Sequence, residues 1–169
     1  NWTVGASFEI GDVEEVGRKV EREAYTATVG YTSEPLSAGA AFEWRDDDEN
    51  GVTRETWLFR SNLGMQVSED WRALLKFNKA ESNASQGAFF DGEFTEAQIA
   101  GAYRPVNNDR LNALLRYTYF EDLPGAKQVS NSGQTGLPAQ KSNIFNVDAN
   151  YRFTDWLTLG AKYGVRKGE

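Results

Sequence analysis

The strongest constraint on this chain is a two-residue alternation of apolar and polar residues that recurs nine times, each time over about ten residues. The first stretch sets Trp2, Val4, Ala6, Phe8 and Ile10 against Thr3, Gly5, Ser7 and Glu9. Because successive side chains of a strand point to opposite faces, the alternation predicts strands with one apolar face. No stretch of similar length has the i, i+3, i+4, i+7 spacing of an amphipathic helix. The sequence therefore predicts an all-β, antiparallel, up-and-down sheet of about nine strands.

The breaks between these stretches are short and long in strict alternation. The short breaks span residues 33–35, 68–70, 105–109 and 154–155, and the long ones span 12–20, 46–54, 80–93 and 121–141. The short breaks carry the Ser, Asp, Asn and Pro of tight turns. All short turns are therefore predicted at one end of the sheet and all long loops at the other. Residues 1–169 are predicted to form a single barrel segment with no internal domain boundary.

Composition excludes several classes of protein. No apolar run approaches the length of about 18 residues that a transmembrane helix needs, whereas a transmembrane strand needs only one apolar face. The mean hydropathy of -0.60 therefore counts against helical membrane proteins and leaves barrels open. A net charge of -7 argues against a nucleic-acid partner, which requires a basic surface.

Aromatic residues gather at both ends of the predicted strands. Those near the short breaks include Trp2, Tyr31, Trp71, Tyr103, Tyr151 and Trp156, and those near the long breaks include Trp44 and Trp57. Two such belts fit the two interfaces of a membrane, where an amphipathic ring is most stable. A soluble barrel with its apolar face inward is the alternative, since alternation alone does not distinguish inside from outside. The many charges at mid-strand on the polar faces favour the membrane barrel.

The stretch Tyr151-Arg-Phe-Thr-Asp-Trp-Leu-Thr-Leu-Gly-Ala-Lys-Tyr163 resembles the hairpins of porins, of TonB-dependent receptors and of the carboxy-terminal barrels of large surface proteins. The chain as a whole resembles these bacterial outer-membrane β-barrel proteins, a resemblance that implies a Gram-negative outer membrane and lipid contact. Single-chain bacterial barrels have an even number of strands, whereas nine are counted here and the chain ends at Glu169. We therefore expect a fragment of a larger barrel, whose remaining strands, plug or passenger domain lie elsewhere in the parent chain.

The charged residues of the polar faces are the candidate functional residues, as the lining of a pore. The predicted basic lining residues are Arg45, Arg60, Arg72, Lys76, Arg104, Arg116, Arg152, Lys162 and Arg166, and the acidic ones are Glu9, Glu43, Glu96 and Asp148. Bases outnumber acids in this set although the whole chain is acidic. Because fixed charges at close quarters in a pore dominate over distant loop charges, the lining predicts a preference for anions.

Catalytic chemistry finds little support in this sequence. The chain has no histidine and no cysteine, which excludes Ser/His/Asp and Cys/His systems and His-ligated zinc. Asp46, Asp48 and Asn50 match the opening of a calcium loop, but Trp57 occupies the twelfth position, where a bidentate Glu belongs. A solvated loop tip explains them better. We expect no cofactor and no enzymatic activity.

Two further features suggest chemistry only weakly. Glu9 and Glu43 are both carboxylates on polar faces and could form an acid/base pair, but charged pore lining explains them better. The Gly-rich segment 125–136 has no context for a phosphate loop, and either folds into the lumen or stays at the surface.

Three functions remain open at this point. The first is an outer-membrane pore, passive or gated, for small solutes or substrate uptake. The second is a barrel that anchors a surface-exposed or periplasmic domain, with conduction incidental. The third is a soluble ligand-binding barrel.

Overall fold

A computed structural model gives the architecture of residues 1–15, 18–85, 92–108, 110–124 and 140–168. The described part of the chain contains nine antiparallel strands, in agreement with the predicted count. They are β1 (Trp2–Glu15), β2 (Arg18–Ser33), β3 (Leu36–Glu49), β4 (Val52–Gln66), β5 (Trp71–Ala84), β6 (Gly92–Tyr103), β7 (Leu111–Pro124), β8 (Gln140–Arg152) and β9 (Thr158–Gly168). Among these residues, none lies in a helix long and apolar enough to cross a membrane.

The strands form one sheet in which each strand pairs with its neighbours in sequence, in the order β1 to β9. Within the described residues, β1 pairs only with β2 and β9 pairs only with β8, so the sheet is open at both edges. With an odd number of alternating strands, β1 and β9 run in the same direction. Pairing them directly would create a parallel contact in an otherwise antiparallel sheet.

The cross-strand register shows that the strands are tilted. Trp2, the first residue of β1, connects through successive partners to Val165, seven residues after the start of β9 at Thr158. With the short turns at one level, a rise of ~3.3 Å per residue and a strand spacing of ~4.8 Å, this stagger gives a tilt of about 30°. Closed barrels need a tilt of this order.

The register also brings the apolar faces of all nine strands onto one side of the sheet. One row of partners across the middle strands reads Leu63, Leu75, Ile99, Tyr117 and Phe145. These side chains are not covered by other parts of the described chain, and Ile99 remains 54% exposed. We call this side the apolar face and the opposite side the polar face.

The predicted long loops at residues 12–20 and 46–54 are wrong. Strands β1 to β4 continue through most of these residues, and β3 and β4 are joined by a tight turn at Asn50 and Gly51, both with positive φ. Residues 11–15, 18–23, 46–49 and 52–55 therefore form strand extensions, a name kept below. Backbone pairing continues here although alternation of apolar and polar residues has ended, because a strand in water on both sides needs no apolar face.

The other two predicted long loops are shortened at their ends. Strand β5 continues to Ala84 and β7 to Pro124, while β6 starts at Gly92 and β8 at Gln140. The middle of each loop lies outside the described residues, as does the Gly-rich segment 125–136. At the opposite end the turns are short, as predicted, although β8 ends at Arg152 and β9 starts only at Thr158. Trp156 therefore lies in a turn.

Candidate functional site: the polar face of the sheet

The polar face collects nearly all of the predicted lining residues. By register, twelve of them occupy polar-face positions: Glu9, Glu43, Arg45, Arg60, Arg72, Lys76, Glu96, Arg116, Asp148, Arg152, Lys162 and Arg166. Arg104 is the exception, because β6 ends at Tyr103 and the Arg104 backbone amide donates a hydrogen bond to Asp70 in a short turn. Its assignment to a strand was wrong.

Side chains on the polar face are more crowded than those on the apolar face. Ala24, Asp47, Ala100 and Ser142 are buried, and all four lie at polar-face positions. Large apolar side chains on the other face stay open. A sheet that curves toward one face crowds the side chains of that face, because they converge on the concave surface. The crowding therefore indicates that the polar face is the concave one.

Several predicted charges pair with each other across strands. Lys76 and Asn78 both donate to the carboxylate of Glu96, at 3.1 Å and 2.7 Å. Lys162 pairs with Asp148 at 3.0 Å, and Arg60 lies 3.8 Å from Glu43. These pairs cancel part of the positive charge that the sequence suggested for this face.

Arg166 binds a neutral partner instead. Its Nε and Nη2 atoms donate to the hydroxyl of Ser142, at 3.1 Å and 2.9 Å. Ser142 is buried, and its contact with Arg166 lies near the end of β9. A hydroxyl is neutral, so Ser142 does not compensate the charge of the guanidinium group. Glu9 and Glu43 are two strands apart in neighbouring rows, and the structure does not bring them together as an acid/base pair.

A cluster of three arginines around Asp47 was missed by sequence analysis. Arg22 Nε and Arg54 Nη2 donate to the two carboxylate oxygens of Asp47, at 2.6 Å and 2.8 Å, and Arg45 Nε lies 3.1 Å from Asp47 Oδ2. The side chain of Asp47 is 4% exposed. The sequence predicts a loop over residues 46–54, which include Asp47 and Arg54, although extending the alternation from Glu43 and Arg45 puts Asp47 on this face.

The electrostatics of this cluster favour an ionised carboxylate. Burial opposes ionisation of Asp47, but the hydrogen bonds from Arg22 and Arg54 and the charge of Arg45 outweigh burial, so the pKa of Asp47 is lowered. Three guanidinium groups thus surround one carboxylate. Arg22, Asp47 and Arg54 lie in the strand extensions, at the end of the sheet opposite the short turns, and Arg45 is adjacent to them.

Two of the weak metal candidates, Asp48 and Asn50, have structural roles in and around the turn. The Asp48 carboxylate accepts a hydrogen bond from the Gly51 amide at 2.8 Å, and Asn50 Oδ1 accepts one from the Lys19 amide at 2.9 Å. Asp46 and Asp48 lie on the opposite side of β3 from Asp47. Among the described residues, no group of three or more acidic side chains is placed to hold a metal ion.

The predicted interface aromatics lie on the apolar face, except Trp156, which lies in a short turn. The Trp2 ring packs against that of Tyr31 in a tilted arrangement with centroids 4.7 Å apart, and Trp71 packs against Tyr103 in the same way at 4.9 Å. Three further strand positions belong to this face, with Trp44 directly opposite Trp57 and with Tyr151 paired to Leu111. Trp2 and Trp71 are near the short turns, whereas Trp44 and Trp57 adjoin the strand extensions.

Comparison with known proteins places the fold. No family model matches the chain, and no curated protein matches it. In-vitro-folded OmpT, an outer-membrane protein of Vibrio cholerae in trimer form, is 14% identical with a TM-score of 0.57 over 93% of this chain and 52% of that chain. An OmpT mutant lacking loop L8 is 15% identical with a TM-score of 0.58, covering 94% of this chain and 56% of that one.

These likenesses concern the fold alone, because the identities are low. The chain has the fold of a bacterial outer-membrane β-barrel protein, as the sequence predicted, and its structural neighbours are outer-membrane proteins. It spans about half the length of those proteins, 52% in the first case.

Proposed function

We propose that this sheet is the wall of a pore in the outer membrane of a Gram-negative bacterium, and that small solutes pass along its polar face. The observation that carries the proposal is the separation of charge between faces. Twelve of the predicted charged residues share one face by register, while the other face is mainly apolar and aromatic between the two belts. An open aqueous path and a lipid surface on opposite sides of one sheet require this separation.

The apolar face is assigned to lipid. Leu75, Ile99, Tyr117 and Phe145 are exposed side by side, and such a surface in water would promote aggregation. In a bilayer the same surface is stable, with Trp2 and Trp71 at one interface and Trp44 and Trp57 at the other. Crowding on the polar face supports curvature with the charges inside.

The two open edges require partners in this environment. Unpaired amides and carbonyls of β1 and β9 would cost several kcal/mol each in hydrocarbon. Because β1 and β9 run in the same direction, an odd number of additional strands joins them through antiparallel pairs alone. We propose that such strands complete the barrel.

The lumen is proposed to favour anions. Where the structure describes the chain, neither Arg72 nor Arg116 pairs with a carboxylate, and Arg166 bonds to a serine. These three guanidinium groups carry the selectivity. No part of the proposal requires catalysis or a cofactor.

The test is conductance of the complete protein in a planar lipid bilayer. We expect stepwise openings and a reversal potential, across a salt gradient, on the anion-selective side. Replacing Arg72 or Arg116 singly with Gln should reduce anion selectivity, and replacing both should reduce it further. Lys19→Gln, which removes one charge from the strand extensions, is the control for the single variants. Insertion without conductance would overturn the pore and favour an anchoring barrel for a passenger domain. Cation selectivity would overturn the assignment of the lumen charges.

A further inference from the structure

The polar face contains an apolar patch where the proposed pore would be expected to have only polar side chains. Leu74 and Leu114 point to this face and are 42% and 41% exposed. Ala100 and Ala102 lie between them on β6. With the two alanines, these leucines form one contiguous apolar surface that nothing in the described chain covers, and contiguous exposed apolar surfaces mark binding sites.

The register arranges this patch as two rows of three residues. One row pairs Arg72 with Ala102 and Ala102 with Leu114, and the next pairs Leu74 with Ala100 and Ala100 with Arg116. The arginines and the leucines therefore occupy opposite diagonals of a small rectangle. The two alanines form its floor, and strand spacing places the arginine Cα atoms about 12 Å apart.

A depression of about 500 Å³ lies over part of this patch. Its lining includes Arg72, Leu74, Ala100, Ala102 and Leu114, and it reaches the turn at Glu34 and Pro35. Gly64 of β4 lies opposite Leu74, and because glycine has no side chain it adds no bulk beside the depression. The depression is large enough for a molecule of several carbon atoms.

Charge near the patch is positive. Within the described residues, Arg72 and Arg116 have no ion-pair partner. The nearest carboxylate of the neighbouring strand, Asp148, is already paired with Lys162. Glu34, in the turn at the edge of the depression, is the carboxylate that a ligand would avoid. A free guanidinium beside an apolar floor is complementary to a carboxylate attached to an apolar body.

We propose that this patch, defined by Arg72, Leu74, Ala100, Ala102, Leu114 and Arg116, binds small carboxylates with an apolar body as they pass through the barrel. In each row the carboxylate pairs with the arginine, and the carbon chain lies over the alanine against the leucine. A ligand that covers Ala102 is therefore held by Arg72 and Leu114. This inference rests on the proposed function, because it names the class of solute that the pore would carry.

The patch can be tested with a thiol reporter, because the chain contains no cysteine. Ala102→Cys in the complete protein, reconstituted in lipid vesicles or nanodiscs, is labelled with a water-soluble maleimide. Hexanoate is the probe, acetate is the control without an apolar body, and hexylammonium is the control with the opposite charge. Thr26→Cys, on the polar face of β2, is the matched control site.

We expect hexanoate to slow labelling of Ala102→Cys but not of Thr26→Cys. For a ligand of this size a dissociation constant of about 10 mM is reasonable, and about 20 mM hexanoate would then protect about threefold. Acetate and hexylammonium should not protect. Protection should be lost when Arg72→Gln or Leu114→Asn is added and retained with Lys19→Gln.

Each of the following results would overturn the proposal. They are a thiol at position 102 that does not react without ligand, equal protection by hexylammonium or acetate, equal protection of Thr26→Cys, and protection that survives both Arg72→Gln and Leu114→Asn. Conductance is measured separately on the same protein. Protection without conductance would contradict the proposed pore and support the binding patch. Conductance without protection would contradict the binding patch alone.

Discussion

The alternating parts of β1 to β4 and their strand extensions share one backbone ladder but follow different side-chain rules. On the apolar side of β3 and β4, Trp44 faces Trp57, and one step further along the same side Asp46 faces Glu55. The hydrogen-bonded pairing does not change at this border. The environment does, since a bilayer tolerates only apolar side chains on that side, whereas water tolerates carboxylates. Side-chain alternation therefore locates the segment proposed to cross the membrane, and does not locate the end of the strand.

The largest effect that separates the two regions is a charge placed on the apolar face. Leu115→Arg, at mid-strand on β7, should destabilise the complete protein in lipid vesicles by about 2 to 4 kcal/mol, because the guanidinium would lie in hydrocarbon. Glu55→Arg, on the same side of the sheet but in a strand extension, should be neutral or stabilise by up to about 1 kcal/mol beside Asp46. Denaturant unfolding in vesicles measures both. If Leu115→Arg did not change the unfolding free energy, the claim that the alternating part of β7 faces lipid while the strand extensions do not would be contradicted.

A second prediction concerns what holds the strand extensions together without an apolar core. Asp47→Asn should cost about 2 kcal/mol, because it removes the carboxylate that Arg22, Arg45 and Arg54 surround. Glu43→Gln, which affects a more exposed pair with Arg60, should cost less than about 1 kcal/mol. Equal losses of unfolding free energy in the two variants would show that the Asp47 cluster stabilises the protein no more than the exposed pair does.

The pH dependence of that cluster sharpens the same point. A carboxyl whose pKa is lowered by folding stabilises the native state fully above the pKa of the unfolded chain, near about 4. This stabilisation is lost as the pH falls through the lower pKa of the folded state. The difference in unfolding free energy between the native sequence and Asp47→Asn should therefore be constant near neutral pH and shrink below about pH 4. A difference that persisted unchanged down to about pH 2 would contradict the ion-pair account.

The smallest predicted effect is at the turn that replaces a predicted loop. Gly51 has a φ of 81°, so Gly51→Ala should cost about 1 kcal/mol. Gly11→Ala, in the extension of β1 with no atom within 4 Å of the added methyl group, should be neutral or slightly stabilising. Both variants are compared by denaturant unfolding. Equal behaviour would mean that the tight hairpin between β3 and β4 does not form.

The alternation from Trp2 to Val165 predicted the strand count, the order of strands and the face of the sheet on which nearly all the candidate lining residues lie, because a sheet with one apolar face imposes a strict two-residue period. It did not predict the strand extensions. A run such as Asp46, Asp47 and Asp48 has the composition of a loop, and only cross-strand partners show that it is paired. Arg22 and Arg54 were missed for the same reason, since their contact with Asp47 joins residues far apart in sequence.

The assignment of faces is the central claim, and cysteines placed one at a time along β7 test it most directly. Positions 112 to 117 are substituted in the complete protein in vesicles and then probed with a water-soluble maleimide and with a lipid-borne quencher of a thiol-attached fluorophore. The account predicts that positions 113, 115 and 117 are quenched from lipid while 112, 114 and 116 react from water. A reversed pattern, or one without a period of two, would contradict it.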